Sequence, residues 1–215
     1  MTSTYLVVRT FEPQPYSQTL QAMQEFTQHR HDQTSDEVWL LEHHPVFTQG
    51  QNGKPEHILD LKNIPLIKTD RGGQITYHGP GQIMMYTLID LKRKAIGIRQ
   101  FVGLLEQTII DFLATQQITA IAKCDARGVY VIQNNIEKKI CSIGLRVKRG
   151  CAYHGLAFNV NMNLEPFSRI NPCGYVGLPM THLAEWNHAS QAIDIGRQLV
   201  HYFIKNLGYT GADYF

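Results

Sequence analysis

The hydrophobic positions of this 215-residue chain change their period several times. Helical spacing joins Leu20, Met23 and Phe26, returns at Phe101, Leu105, Ile109 and Phe112, and appears last at Ile193, Leu199, Phe203 and Leu207, where Gly208 supplies a stop. Runs of strand character occupy 38–41, 83–89, 129–132, 139–147 and 153–160, with a short one at 5–8. Polar turns such as Asn134-Asn135 imply hairpins between neighbouring strands. The predicted class is therefore α/β (α+β): one domain over 1–215 with a mixed, largely antiparallel sheet flanked by three helices. A small carboxy-terminal subdomain after about 161 is the alternative organisation, because no internal repeat or linker divides the chain earlier.

Composition narrows the class only a little. An apolar share of 43% and a charged share of 18% fit an ordinary globule and exclude a disordered or fibrous chain. Twenty basic residues are offset by 18 acidic ones, so the net charge of +2 supplies no concentrated field for nucleic acid. No run approaches the roughly 20 apolar residues of a membrane span. Residues 5–8 lack the basic leader and long apolar core of a secretory signal. The four cysteines, at 124, 141, 151 and 173, show no C-x-x-C spacing and are expected to be reduced thiols of a cytoplasmic protein. His43, His44, His78, His154 and His182 fit no metal motif, so no metal is expected, and the absence of a G-x-S-x-G elbow argues against a serine hydrolase.

Candidate chemistry concentrates in three stretches. Arg71, Gly72, Gly73, Gln74, Ile75, Thr76, Tyr77 and His78 lead through Gly79-Pro80-Gly81-Gln82 into the apolar run 83–89. Glycine at this density allows positive φ and lets backbone N–H donors lie against a ligand; a tight loop between strands produces the same pattern. In the run 138–149, regular alternation places Lys139 on one face with Cys141, Ile143, Leu145 and Val147, and Lys138 on the other with Ile140, Ser142 and Gly144. A lysine heading an apolar row either snorkels from the strand end or is desolvated, with a lowered pKa and a charge that acts on a neighbour. Asn171-Pro172-Cys173-Gly174 holds a thiol in a turn, whereas Cys124, Cys141 and Cys151 read as small buried hydrophobes. Cys173 is either a bland turn residue or a nucleophile whose thiolate is favoured by a nearby cation. His78 and His154, beside glycine segments, are structural or substrate-orienting.

Taken in order, EHHPVFTQG (42–50), RGGQITYHGPGQ, KKICSIGLRVKRGC, HGLAFNVN and NPCG resemble the lipoyl(octanoyl) transferases over about residues 37–186. The second histidine of the first motif is the one departure. The resemblance implies transfer of an octanoyl group from acyl carrier protein to a specific lysine of lipoyl domains, in the E2 subunits of 2-oxoacid dehydrogenases and the glycine cleavage H protein, as the first step of endogenous lipoylation. It implies a thioester intermediate on Cys173 and a pKa-lowering role for Lys139. Acyl contacts are implied from Arg71 through His78, from Ser142, Ile143 and Gly144, and from Gly155, Leu156 and Ala157. No cofactor is implied beyond the phosphopantetheine that carries the donor, and the fold is that shared with biotin and lipoate protein ligases. An ATP-dependent ligase on the same scaffold and a non-catalytic acyl- or carrier-binding module are the competing readings. Lys92, Arg93 and Lys94, with Arg146, Lys148 and Arg149, offer either a docking charge for an acidic carrier or a solvated face.

Overall fold

Strand β6 (Gln82–Asp90) lies inside the sheet, and its sequence explains why. Ile83, Met85 and Ile89 alternate with Met84, Tyr86 and Leu88, and both sets are buried, so the strand needs cover on both faces. β2 (Glu37–Leu41) and β10 (Cys151–Asn159) flank it, both antiparallel. Beyond β2 come β1 (Tyr5–Thr10) and β11 (Gly211–Tyr214), in parallel pairings. Beyond β10 come β9 (Ile136–Lys148), β8 (Gly128–Gln133) and β7 (Ala120–Ala122), all antiparallel. The resulting eight-stranded order is β11-β1-β2-β6-β10-β9-β8-β7. This computed structural model describes residues 5–186 and 191–215.

Helices α2 (Ile98–Thr115) and α3 (Ala192–Leu207) cover one face, where Phe101, Leu105 and Phe112 meet Leu199, Phe203, Met85 and Phe158. The opposite face carries α1 (Tyr16–His29), which buries Tyr16 and Met23 against Trp39, Met84 and Tyr86. On that same side sits a second sheet, ordered β4-β3-β5, made of β3 (Val46–Gln49), β4 (Leu66–Lys68) and β5 (Ile75–His78). The mixed, largely antiparallel sheet with three flanking helices is thus the architecture that the periodicities predict. The chain after Asn161 sends α3 into the same core as α2 and β11 onto the edge of the same sheet.

A buried ionic knot holds the end of this sheet that is remote from the glycine segments. Asp36, fully buried, accepts from Arg30, from Arg93 Nη2 at 2.7 Å, from the Tyr209 hydroxyl at 2.7 Å and from the Asp90 amide at 2.8 Å. Changing Asp36 to Ala strands two largely buried guanidinium groups, and is expected to cost about 3–5 kcal/mol of stability. Urea unfolding checks this; a loss below about 1 kcal/mol contradicts it.

Candidate active site

Cys173 occupies a tight turn, Pro172–Gly174, with φ 57° and ψ 14°. That left-handed conformation costs a non-glycine residue about 1–2 kcal/mol, and the surrounding structure has to enforce it. Gly174 follows at φ 83°, so close to the Gln74 side chain that a Cβ would stand 2.2 Å from its Nε2. Downstream, the Lys139 amide donates to the Pro179 carbonyl at 2.8 Å and the Thr181 amide donates to the Lys139 carbonyl at 3.0 Å. The loop that carries the thiol is therefore stitched to the backbone of Lys139 itself. Two residues 34 positions apart meet for this reason, with Lys139 Nζ 3.3 Å from Cys173 Sγ.

Lys139 reaches the sulfur because β9 is not regular. Tyr130 pairs with Lys139 while the adjacent Val129 pairs with Cys141, so Ile140 is an extra residue in the ladder. Alternation reverses across it. Ile140 and Cys141 both join the helix-side core, whereas Lys139 lies with Tyr130 on the face that Ser142 and Gly144 present to the cavity. The predicted row of Lys139 with Cys141, Ile143 and Leu145 is corrected by this bulge, which no period-2 pattern reveals. Lys138 is separate: its amine binds Gln133 Oε1 at 2.6 Å and Glu185 Oε2 at 3.0 Å.

The Lys139 amine also donates to the Arg127 carbonyl at 2.7 Å and to the Tyr130 hydroxyl at 3.1 Å, and the residue is fully buried. Burial pulls its pKa down, but the Cys173 sulfur and the Tyr130 hydroxyl outweigh burial, and the net direction is up. Of the two readings, the lysine is desolvated and does not snorkel, but its pKa is not lowered: the buried amine is held as an ammonium against the sulfur. Among the other thiols, Cys141 is buried in the core, and burial pushes its pKa up. Burial, with Asp90 next in effect, does the same at the half-buried Cys151, and Cys124 is exposed.

Behind the sulfur lies a mainly apolar pocket. Its wall brings together Arg71, Gly73, Gln74, Ile75, Thr76 and His78 from the glycine-bearing stretch, Ser142, Ile143 and Gly144 from β9, and Gly155, Leu156 and Ala157 from β10. Two expected residues do not reach it. Tyr77 turns away, onto the rings of Phe47 and Phe167 at 5.5 Å each, and Gly72 lines a neighbouring cleft instead. Arg71 is a brace: it donates to the carbonyls of Gly72 (2.9 Å), Thr48 (2.8 Å) and Gln74 (2.9 Å) and to the Thr48 hydroxyl (2.9 Å), folding its own loop back over the pocket.

The two histidines are fixed by hydrogen bonds. Gln82 Nε2 donates to Asn159 Oδ1 at 2.8 Å, which leaves Gln82 Oε1 to accept from His78 Nδ1 at 2.7 Å. His78 Nε2 is then the acceptor for the Thr48 hydroxyl at 3.0 Å, a tautomer assigned from the consistency of this network. Burial holds the His78 pKa well below its ordinary value, so it is a neutral strut. His154 Nε2 donates to Asp70 Oδ1 at 2.8 Å, and burial, which outweighs the carboxylate, lowers its pKa too. Among the described residues no group of three His, Cys, Asp or Glu side chains is placed to hold a metal ion, and no helix is long and apolar enough to cross a membrane.

A family model described as the lipoyl protein ligase A/B catalytic domain matches residues 15–204. The chain belongs to that family. A curated relative named octanoyltransferase, from Enterobacter sp. (strain 638), is 55% identical over 195 residues, covering 91% of this chain and 90% of the relative. An octanoyltransferase from Escherichia coli O139:H28 matches with the same identity and coverage. Among solved structures, the bipartite lipoate protein ligase of Thermoplasma acidophilum superposes with a TM-score of 0.77 at 15% identity, covering 98% of this chain and 86% of its own, a likeness of fold.

In this lipoyl ligase A/B family member the pocket also has walls that the sequence reading missed. Tyr16, Met84 and Tyr86 line it, and the Tyr86 hydroxyl donates to His43 Nε2 at 2.6 Å while His43 Nδ1 donates to the Gln14 carbonyl at 2.9 Å. A signal for Met84 and Tyr86 was present, because a strand apolar on both faces must point one set away from the helices. Tyr16 sits at the start of α1 with no comparable signal.

Proposed function

We propose that this protein transfers an octanoyl group from the phosphopantetheine thioester of an acyl carrier protein to a lysine of a lipoyl domain, with Cys173 carrying the acyl group between them. The observation that carries the reading is the 3.3 Å contact of the Lys139 amine with the Cys173 sulfur at an apolar pocket. The name of the 55% identical relatives supplies the acyl group.

The chemistry balances without ATP, a metal or a redox group, because the donor is already an activated thioester. The Cys173 thiolate attacks the acyl carbonyl, its C–S bond forms, and the C–S bond to the carrier breaks. The leaving thiolate takes a proton from the Lys139 ammonium. Acylation removes the sulfur anion that held this proton, so burial now favours neutral Lys139. The neutral amine accepts a proton as the acceptor lysine attacks, the C–N bond forms, and Cys173 departs as thiolate beside a restored ammonium. An adenylating ligase activates a free acid with ATP and has no use for this pair.

The acceptors proposed are the lipoyl domains of 2-oxoacid dehydrogenase E2 subunits and the glycine cleavage H protein. A free, partly exposed thiol nucleophile suits the reducing cytoplasm. Incubation with octanoyl carrier protein should leave a hydroxylamine-labile octanoyl adduct on the Cys173 peptide, read by mass spectrometry. An adduct on Cys141 or Cys151 instead, or transfer that requires ATP, rejects the mechanism.

The docking charge is smaller than the sequence suggested. Arg93 turns inward to Asp36, Lys94 lies on the Tyr209 ring at 3.3 Å, and Arg149 caps the carbonyls of Thr27 and Gln28. Lys92 and Lys148 are exposed, and Arg146, also exposed, donates to Gln51 Oε1 at 2.7 Å. With so few free cations, the KM for the carrier should rise about tenfold or less between 50 and 200 mM salt, a screened and local attraction. A flat KM removes charge from the docking account.

A further inference from the structure

The sulfur of Cys173 stands at the junction of two cavities. One is the apolar pocket; the other is a cleft, open to solvent, that shares Gln74, Ile143 and Gly144 with it. A Cβ on Gly144 would stand 3.0 Å from the Arg71 side chain, so glycine keeps the junction clear. We propose that this cleft binds the pantetheine arm of the acyl donor, an extended chain of amides and aliphatic carbons that ends at the thioester sulfur. The proposal rests on the acyl-transfer reading and goes beyond it, by assigning a binding site to the half of the donor that the acyl pocket cannot hold.

The valence of the acyl carbon calls for two cavities. A thioester carbonyl carries two substituents that diverge by about 120°, and both must be housed when Cys173 approaches its face. With the hydrocarbon chain in the apolar pocket, the sulfur-bearing arm has to leave through the second opening. That opening has the matching character. Ile98 and Val102 from the first turns of α2 give it an apolar side, with Ile98 44% exposed. Asn52 and the Gln74 amide give it a polar one, and the Gln74 Oε1 atom is buried without a partner among the described residues. The Tyr175 hydroxyl donates to the Asp125 carbonyl at 3.0 Å, tying the Cys173 loop across the cleft to the turn before β8. An arm lying here keeps its sulfur beside Lys139, which protonates it as it leaves. The cleft must empty before an acceptor lysine can use the same approach.

The test compares two donors on one preparation: octanoyl-N-acetylcysteamine, which has the thioester and a stub, and octanoyl-pantetheine, which has the arm. The readout is the ratio of kcat/KM values for acylation of Cys173 in the full-length enzyme. The wild type should favour the longer donor by about tenfold or more. Val102→Glu should bring the ratio to about two or less, while Val102→Leu keeps it. A ratio cancels any loss of active protein, and Ile98→Glu, at an exposed side chain, repeats the measurement if Val102→Glu folds poorly. A wild-type ratio near one, or a ratio unmoved in both glutamate variants, overturns the arm site and leaves acyl transfer standing. Failure of the wild type to be acylated by either donor overturns the acyl-transfer reading and this proposal with it.

Discussion

Changing Cys173 to Ser should lower octanoyl transfer by about three orders of magnitude or more while the protein still folds. Serine keeps the size of the side chain and inherits the same left-handed backbone, so the turn suffers no new strain. What changes is the charge state of the attacking atom. A hydroxyl ionises far less readily than a thiol, and the neighbouring Lys139 is held protonated, so it is a cation and not a base in the resting site. Nothing in the first step can then generate an alkoxide. The measurement is steady-state transfer to a lipoyl domain, with unfolding curves beside it. Activity above about a tenth of wild type in a folded variant would sink the covalent mechanism.

Lys139 is the second place where a single change should have a large effect. Lys139→Ala removes the cation in contact with the sulfur and leaves the Arg127 carbonyl and the Tyr130 hydroxyl without their donor. Iodoacetamide labelling of Cys173 near neutral pH should slow, and transfer should fall by about two to four orders of magnitude. Arginine at this position separates the two roles. It keeps the charge but does not give up a proton, so iodoacetamide labelling of Cys173 should partly survive while octanoyl transfer fails. Lys138→Ala, whose amine is engaged with Gln133 and Glu185, should leave labelling nearly unchanged. Equal labelling in wild type and Lys139→Ala, or a larger effect from Lys138→Ala, would remove Lys139 from the mechanism.

Long elements were legible because burial imposes a period on them. β6, β9 and β10 run for nine to thirteen residues, enough for alternation to register, and α2 and α3 repeat their apolar positions over several turns. The small sheet was not legible, because β3, β4 and β5 have only three or four residues each, and β5 lies within a stretch whose glycines read as loop. The site shows the same division. Cys173 stood out through its neighbours in the turn, and the glycine segments through close approach. Lys139 was singled out, but on a face argument that the bulge at Ile140 invalidates. Tyr77 was carried along by adjacency in its motif, although its ring packs on Phe47 and Phe167 away from the cavity.

The extra residue in β9 adds a buried side chain to the core while the amine keeps its face. Deleting Ile140 would let Val129 and Tyr130 face consecutive residues, mending the ladder and sparing β9 a kink. The same deletion would leave Lys139 opposite Tyr130 and on the face away from Cys141, because neighbours in a regular strand point to opposite sides. What the deletion would remove is the Ile140 side chain from the helix-side core. A slip of register past Ile140, and not a shortening of the strand, is what would turn the amine from the thiol.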